Sequence, residues 1–331
     1  MVHLHDHLIA PCQSLVDEIY RIDRDTFAFL GVPVGHQAQV TALELGRLRQ
    51  QLHDRGYRAP LVHPGGAAYN SACWFARLGG AATILARYGN DTGGQIAQQQ
   101  AGNCGVTVYP LIDPALPTGT TIVLVDEEGA RSMITCLGAA QEFRSDELPA
   151  HLRSTSSTLL IEGYMLGVGN GSAPDLFERM ADDGATIVLS VAAPWIAERY
   201  PEAFQRIFER SRLVFMNEQE GERISGERDP GVAADRLRGT NRTVIVTAGS
   251  RGAYLGLPEG LLHSAARSVD VLDTTGAGDS YLAAFLRGVQ LGATADQAAR
   301  GAAFVASEVV SVVGSGTGLD LAEEWRALTF E

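Results

Sequence analysis

Seven consecutive residues, Asp273-Thr274-Thr275-Gly276-Ala277-Gly278-Asp279, run directly into the helical pattern SYLAAFLRGVQL. Small residues at 276–278 leave backbone N–H groups bare at a helix start, where the unpaired donors and the helix dipole favour an anion. Asp279 falls in the first helical turn, close to whatever anion those donors hold. A carboxylate repels a phosphate, so the pairing makes chemical sense when the acid takes a hydroxyl proton during phosphoryl transfer. The same residues also suit plain turn chemistry with an acid that complements the dipole.

A second cluster is Asn217-Glu218-Gln219-Glu220, which follows the apolar run RLVFM. Mg²⁺ keeps much of its water shell and needs only one or two carboxylates nearby, so Asn217 and Glu220 could hold it through water. A strand-ending Asn before a Glu-rich first turn is equally an ordinary helix start. His3, His5 and His7 alternate as ligands on one strand face would, yet no further ligand is implied nearby, and a frayed, solvated terminus is the expectation. Cys12, Cys73, Cys104 and Cys136 form no CxxC pair and read as reduced core thiols.

Absences narrow the function classes. All 26 basic residues are arginine, which excludes a Walker A lysine, the strand lysine of protein kinases and any Schiff-base lysine. A nicotinamide dehydrogenase needs G-x-G-x-x-G after the first strand with an acid about 20 residues on. The Gly167, Gly169, Gly171 cluster has neither that context nor that spacing. A formal charge of −13 argues against nucleic-acid binding. No apolar run approaches the roughly 20 residues of a membrane span, and the N-terminus lacks a signal-peptide pattern, so a cytoplasmic enzyme is expected.

The elements that must position these residues follow from the apolar pattern. From about residue 60 onward, the short apolar runs ATILARYG, STLLIEGY, ATIVLSVA, RLVFMN and RTVIVTAG alternate with helical patterns. Helices are predicted at 71–78, 94–100, 174–182, 202–209, 277–291 and 295–312, giving an α/β fold with a mostly parallel sheet covered on both faces. Residues 118–137 read as a hairpin around Glu127-Glu128-Gly129. Together with strand-like patches in 14–40 and a helix near 41–53, that hairpin suggests a small discontinuous sheet outside the main layer.

DTTGAGD resembles at every position the C-terminal signature of the ribokinase-like (PfkB) kinase family. Residues 65–72, GGAAYNSA, with Gly79 following Ala72 after six intervening residues, resemble the N-terminal one. Asn217 to Glu220 is similar to the family's NxxE motif, and Thr247-Ala248-Gly249-Ser250-Arg251-Gly252 to its nucleotide loop. The resemblance covers nearly the whole chain and is nearest the adenosine-kinase branch, through SLVDEIYRID, ARSMITCLGAA, IEGYML and LSVAAPW. Two departures fall at the substrate pocket: Cys12-Gln13 stands where the branch usually has Gly-Asn, and Ala67 where it often has Ser.

The resemblance implies a three-layer α/β/α, Rossmann-like core (1–13, 63–115 and 139–331) and a discontinuous β-sheet lid (14–62 and 116–138). It implies ATP-dependent phosphorylation of a ribonucleoside 5′-hydroxyl, adenosine first, with ribose or fructose as the alternative acceptor. Asp279 would be the general base, and Gly276, Ala277 and Gly278 the anion hole. Asp17, Asn70 and the Gly65-Gly66 backbone would hold the ribose hydroxyls, with Tyr164, Trp195 and Met133 around the base and Arg131 near the reacting groups. Asn217, Thr247, Gly249 and Gly252 would serve the nucleotide, Asn217 and Glu220 the Mg²⁺, and Asp273 and Thr275 a monovalent cation such as K⁺. Monomers and homodimers both occur among such relatives, and a non-catalytic nucleotide sensor is the remaining reading.

Overall fold

The computed structural model describes residues 2–144, 148, 152 and 156–331; residues 1, 145–147, 149–151 and 153–155 of the expected core lie outside them. Apolar side chains alternate along each core strand and so fall into two layers. Leu8 and Ala10, Ile84 and Ala86, Leu160, Val188, Leu213 and Phe215, and Ile245 face one cluster. Their neighbours Ile9, Leu85, Leu159 and Ile161, Ile187 and Leu189, Val214 and Met216, and Val244 and Val246 face the other. Burial on both faces with period two is what a sheet sandwiched between helical layers requires.

Among the described residues the strands are β1 His7–Pro11, β2 Leu15–Arg21, β3 Gln37–Gln39, β4 Leu61–Gly65, β5 Ala81–Gly89, β6 Thr107–Asp113, β7 Gly119–Val125, β8 Arg131–Cys136, β9 Thr158–Glu162, β10 Thr186–Ser190, β11 Leu213–Asn217, β12 Thr243–Thr247, β13 Ala253–Leu257 and β14 Gly260–Ser264. The large sheet has the order β14-β13-β12-β11-β10-β9-β1-β5-β6. It is parallel from β6 through β12, while β12, β13 and β14 pair antiparallel. Four helices matter for the site: α1 Ala67–Arg77, α2 Glu218–Ser225, α3 Ala277–Gln290 and α4 Ala295–Val309. Helix α3 packs against both α1 and α4 on one face of the sheet.

The expectation of a frayed terminus is corrected. The run LIAPC is apolar and completes the sheet between β5 and β9, so His7 begins a central strand. The His7 ring hydrogen-bonds the Thr83 hydroxyl at 2.9 Å, and the His5 ring the Gly184 carbonyl at 3.0 Å. All four cysteines are buried and free.

A smaller sheet, β3-β8-β7-β2-β4, stands apart and has its own core. Tyr20, Ile122, Leu124, Ile134 and Cys136 pack there against Leu45, Leu48 and Leu52 of the helix Ala42–Asp54. The alternate positions lie on the opposite face. In register these are Asp17 with Thr121 and His63, Leu15 with Gly65, and Val123 with Met133.

Candidate active site

The parallel strands end together, and several predicted site residues sit at or just beyond those ends, where α/β sheets bind ligands, while Asp17, Arg131 and Met133 lie on the small sheet. Gln13 follows β1, Tyr164 follows β9, Trp195 lies five residues after β10, Asn217 ends β11 and Thr247 ends β12. Asn217 and Thr247 are direct partners in the β11–β12 register.

Helix α3 begins at Gly276 (φ 77°, ψ 0°), and no side chain caps it. Its first-turn amides at 278 and 279 are therefore left for an external acceptor. Upstream, the Asp273 carboxylate accepts from Thr275 N (2.9 Å), Thr275 Oγ1 (2.7 Å), Gly314 N (2.9 Å) and the Arg131 guanidinium, which also reaches Thr275 Oγ1. Burial raises Asp273, but these donors outweigh it and hold the group below its ordinary pKa.

Asn70 lies in the first turn of α1, four residues after Gly66, and donates from Nδ2 to Asp279 Oδ2 at 2.9 Å. Its own Oδ1 is buried and has no partner among the described residues. Such an atom costs free energy unless something fills it, and a substrate hydroxyl would. Gly65 and Gly66 are needed because the backbone is close-packed here. A Cβ at 65 would lie 2.4 Å from Asp17 Oδ2, and one at 66 (φ 118°) would lie 2.6 Å from the Gln13 carbonyl oxygen.

Tyr164 and Trp195 form a pair with ring centroids 5.8 Å apart and planes tilted by 51°. Tyr164 Oη bonds the Ala192 carbonyl at 3.3 Å, and Ala192 holds φ 69°. Trp195 is 41 % exposed, so one side of this slot faces solvent. Met133 shares a face of β8 with Arg131.

Asn217 and Glu220 make a reciprocal capping box at the start of α2: Glu220 N donates to Asn217 Oδ1, and Asn217 N and Nδ2 donate to the two Glu220 oxygens, all at 2.9 Å. Any metal they serve would thus be reached through water. The glycines of the 247–252 loop are conformational: Gly249 has φ 55° and Gly252 φ 87°, and a Cβ at 252 would meet Ser264 O at 2.1 Å.

Sequence reasoning missed one member of this cluster. Glu162 ends β9, is 0 % exposed, and accepts from Gln13 N at 2.7 Å and Ala68 N at 2.9 Å. The available signal was an acid closing the otherwise apolar run TLLIE. Thr121 and Thr135 on the open face of the small sheet, with hydroxyls 3.0 Å apart, were also unannounced.

Burial drives the electrostatics. It pushes Asp279 up to about 7, the Asn70 hydrogen bond opposing and the charges of Glu162 and Glu220 reinforcing. Burial likewise raises Glu220, Glu162 and Asp17 to about 7, against hydrogen bonds from Asn217 N, from the Ala68, Gln13 and Ala67 amides, and from Thr121 respectively. Between roughly pH 4.5 and 7 the folded chain keeps protons that the unfolded chain has released. Their contribution to stability is therefore full below the ordinary carboxylate range and lost as pH rises through 7. The ligand-free protein should melt about 5 °C lower at pH 8 than at pH 5.5 by calorimetry, and a melting temperature that rises over that interval would contradict the assignment.

Comparison with known proteins bears on the fold and the family. The adenosine kinase of Dictyostelium discoideum is 29% identical over 246 residues, covering 67% of this chain and 72% of that protein. Two solved structures have the same fold over almost the entire length. An adenosine kinase from Sinorhizobium meliloti has TM-score 0.84 and 24% identity, covering 97% of this chain and 98% of that one. A probable sugar kinase from Rhizobium etli CFN 42 has TM-score 0.86 and 23% identity, covering 99% of each. At that identity the likeness establishes fold alone. Residues 47–322 match the model of the pfkB family carbohydrate kinases, a span that includes both glycine motifs, Glu162 and Asp279. The chain therefore belongs to the pfkB family, whose members are ATP-dependent phosphotransferases.

Proposed function

We propose that this kinase transfers the γ-phosphoryl group of ATP to the 5′-hydroxyl of a ribonucleoside, adenosine first among them. The observation that carries the acceptor assignment is the Tyr164–Trp195 slot, taken together with the unpartnered Asn70 Oδ1. Aromatic faces suit a purine, and a bare sugar would leave the slot empty. The Dictyostelium relative, named an adenosine kinase, supports the same acceptor.

In this reading Asn70, Asp17 and the Gly65-Gly66 backbone grip the ribose hydroxyls. The Asp279 carboxylate takes the proton of the attacking hydroxyl as its oxygen bonds to phosphorus, and the bond to the β-phosphate bridging oxygen breaks. Amides of the 276–279 turn and the Arg131 guanidinium face the negative charge of the transferring group. Asn217, Thr247, Gly249 and Gly252 line the nucleotide side. Residues 14–62 and 116–138 act as a lid on the 1–13, 63–115 and 139–331 core, and its closure excludes water as a competing acceptor.

Mg²⁺ fits the site. Asp279, Glu162 and Glu220 are buried carboxyls that raise one another or their neighbours, a concentration of acid that a divalent cation would relieve. Asn217 and Glu220 would hold it through water, and the ion would neutralise phosphate charge. A monovalent cation fits less well, because the Asp273 carboxylate is already engaged by Thr275, Gly314 and Arg131. The reaction as read here assigns no step to one. ATP as phosphoryl donor agrees with a cytoplasmic location, and no described helix is long and apolar enough to cross a membrane. The chemistry is compatible with a monomer or a homodimer.

ADP release should be measured with Mg·ATP against adenosine, guanosine, inosine, cytidine, ribose and fructose. Adenosine is expected to give the highest kcat/KM. Trp195→Ala should raise KM for adenosine about tenfold, the worth of one aromatic contact, and leave kcat/KM for ribose within about twofold. Turnover with sugars alone would remove the nucleoside from this reading.

A further inference from the structure

Glu162 occupies a junction that the proposed reaction does not use. Its two carboxylate oxygens accept from Gln13 N (2.7 Å) and Ala68 N (2.9 Å). The first amide belongs to the turn between β1 and β2, the strand that carries Asp17. The second belongs to the first turn of α1, two residues before Asn70. The residue after Glu162 begins the turn Gly163–Gly167 that holds Tyr164, whose carbonyl accepts from Gln13 Nε2 at 3.1 Å. One fully buried side chain thus joins the three segments that would surround an acceptor. A carboxyl group with no solvent contact is costly, and here its compensation comes from backbone amides whose positions decide where Asn70, Asp17 and Tyr164 stand.

We propose that Glu162 is a positioning residue for the phosphoryl acceptor: its carboxylate fixes the Gln13 turn and the start of α1 relative to each other, and its charge acts on the neighbouring base Asp279. This rests on the kinase reading given above. The titratable groups around the pair are the Cys12 thiol at the end of β1, Tyr164 after β9, Glu220 at the start of α2 and Asp279 at the start of α3. Of the two acids Glu162 ionises first, because it accepts from the Gln13 amide and from amides at the start of α1 while Asp279 has the single Asn70 donor. Asp279 then loses its proton beside a charge already present, and the two titrate as a coupled pair.

Glu162→Gln keeps the shape but removes the charge and one of the two acceptor functions, since an amide nitrogen cannot receive the Gln13 or Ala68 N–H. With the nucleoside varied, KM should rise about tenfold, the cost of one charge-assisted hydrogen bond, while KM for ATP stays within about twofold. The acid limb of the kcat/KM profile should move to lower pH by about half a unit or more, because the base loses its negative neighbour. Glu162→Asp keeps the charge at shorter reach. It should raise KM for the acceptor and leave the acid limb where the wild type has it, and it serves as the test if the Gln variant does not fold. A Glu162→Gln profile that superimposes on the wild type after scaling, or equal changes in KM for acceptor and ATP, would reduce Glu162 to a structural residue. Amide exchange of Gln13 and Ala68, read without turnover, should quicken about tenfold in the Gln variant. Unchanged exchange overturns the positioning role. A wild type inactive on every acceptor with quickened exchange in the variant would instead overturn the kinase acceptor reading alone.

Discussion

Replacing Asp279 by asparagine should lower kcat by about 10³-fold, within the range that a well-placed general base contributes, while KM for ATP changes by no more than about threefold. The substitution is nearly isosteric. A carboxamide oxygen at this position can still accept from Asn70 Nδ2, now 2.9 Å from Asp279 Oδ2, so the helix start and Asn70 keep their places. What is lost is the capacity to take a proton. The pH profile separates this from damage to the fold. In the wild type, activity should rise as pH passes through about 7, where burial and the Glu162 and Glu220 charges set Asp279. In the variant the residual rate should lack that limb. Stability should move the other way: at pH 8 the variant is spared an ionised carboxylate in a desolvated site and should melt higher than wild type. Steady-state ADP release from pH 5.5 to 9, with calorimetry on both proteins, decides it. Retention of more than a tenth of wild-type kcat would remove Asp279 from the role of base.

The large sheet was legible because its strands are buried on both sides and read as uninterrupted apolar runs. ATILARYG falls within β5, and STLLIEGY and ATIVLSVA contain β9 and β10. Strand β6 was not, because Pro110 interrupts TVYPLID; the proline is tolerated since β6 pairs only with β5 and forms the sheet edge. Strand β1 hid behind alternating histidines that mimic a solvated terminus, and only its central pairing reveals it. The helix expected at 71–78 begins four residues earlier at Ala67, directly after the Gly65-Gly66 pair, and runs to Arg77. That shift matters, because it puts Asn70 in the first turn and aims it at Asp279.

The DTTGAGD string was legible for a different reason: at φ 77° and tight against Ser315, position 276 demands glycine. Asn217 and Glu220 show the limit of such reading. A capping box and a metal-facing pair share one pattern, and the structure displays the capping box directly. Glu162 offered only the signal of an acid closing an apolar run, because its partners are the amides of Gln13 and Ala68, whose side chains are irrelevant to the contact.

Gly276→Ala should lower kcat by about 10²-fold and cost about 2 kcal/mol of stability, through strain and not through lost side-chain chemistry. At φ 77° an alanine is in the left-handed region, and its Cβ would lie 2.8 Å from Ser315 Cα and 3.0 Å from Ser315 Cβ. The opposing loop cannot easily recede. The Ser315 carbonyl accepts from the indole N–H of Trp74 at 3.0 Å, Trp74 is fully buried, and Gly314 N is held by Asp273 at 2.9 Å. The start of α3 must therefore move, taking the 278 and 279 amides away from the phosphoryl group. The proposed acceptor contacts belong to α1, the small sheet and the turns after β9 and β10, so KM for the nucleoside should change by less than about threefold, the pattern of an interaction made in the transition state. Gly278 supplies the control. A Cβ there meets only the Phe215 ring, at 3.5 Å, which is ordinary contact. Gly278→Ala should melt within about 1 °C of wild type, so any loss of kcat in it reports the room the phosphoryl group needs. Equal destabilisation of the two variants would show that the Ser315 loop yields, and that the anion hole is not braced by the Trp74 and Asp273 contacts.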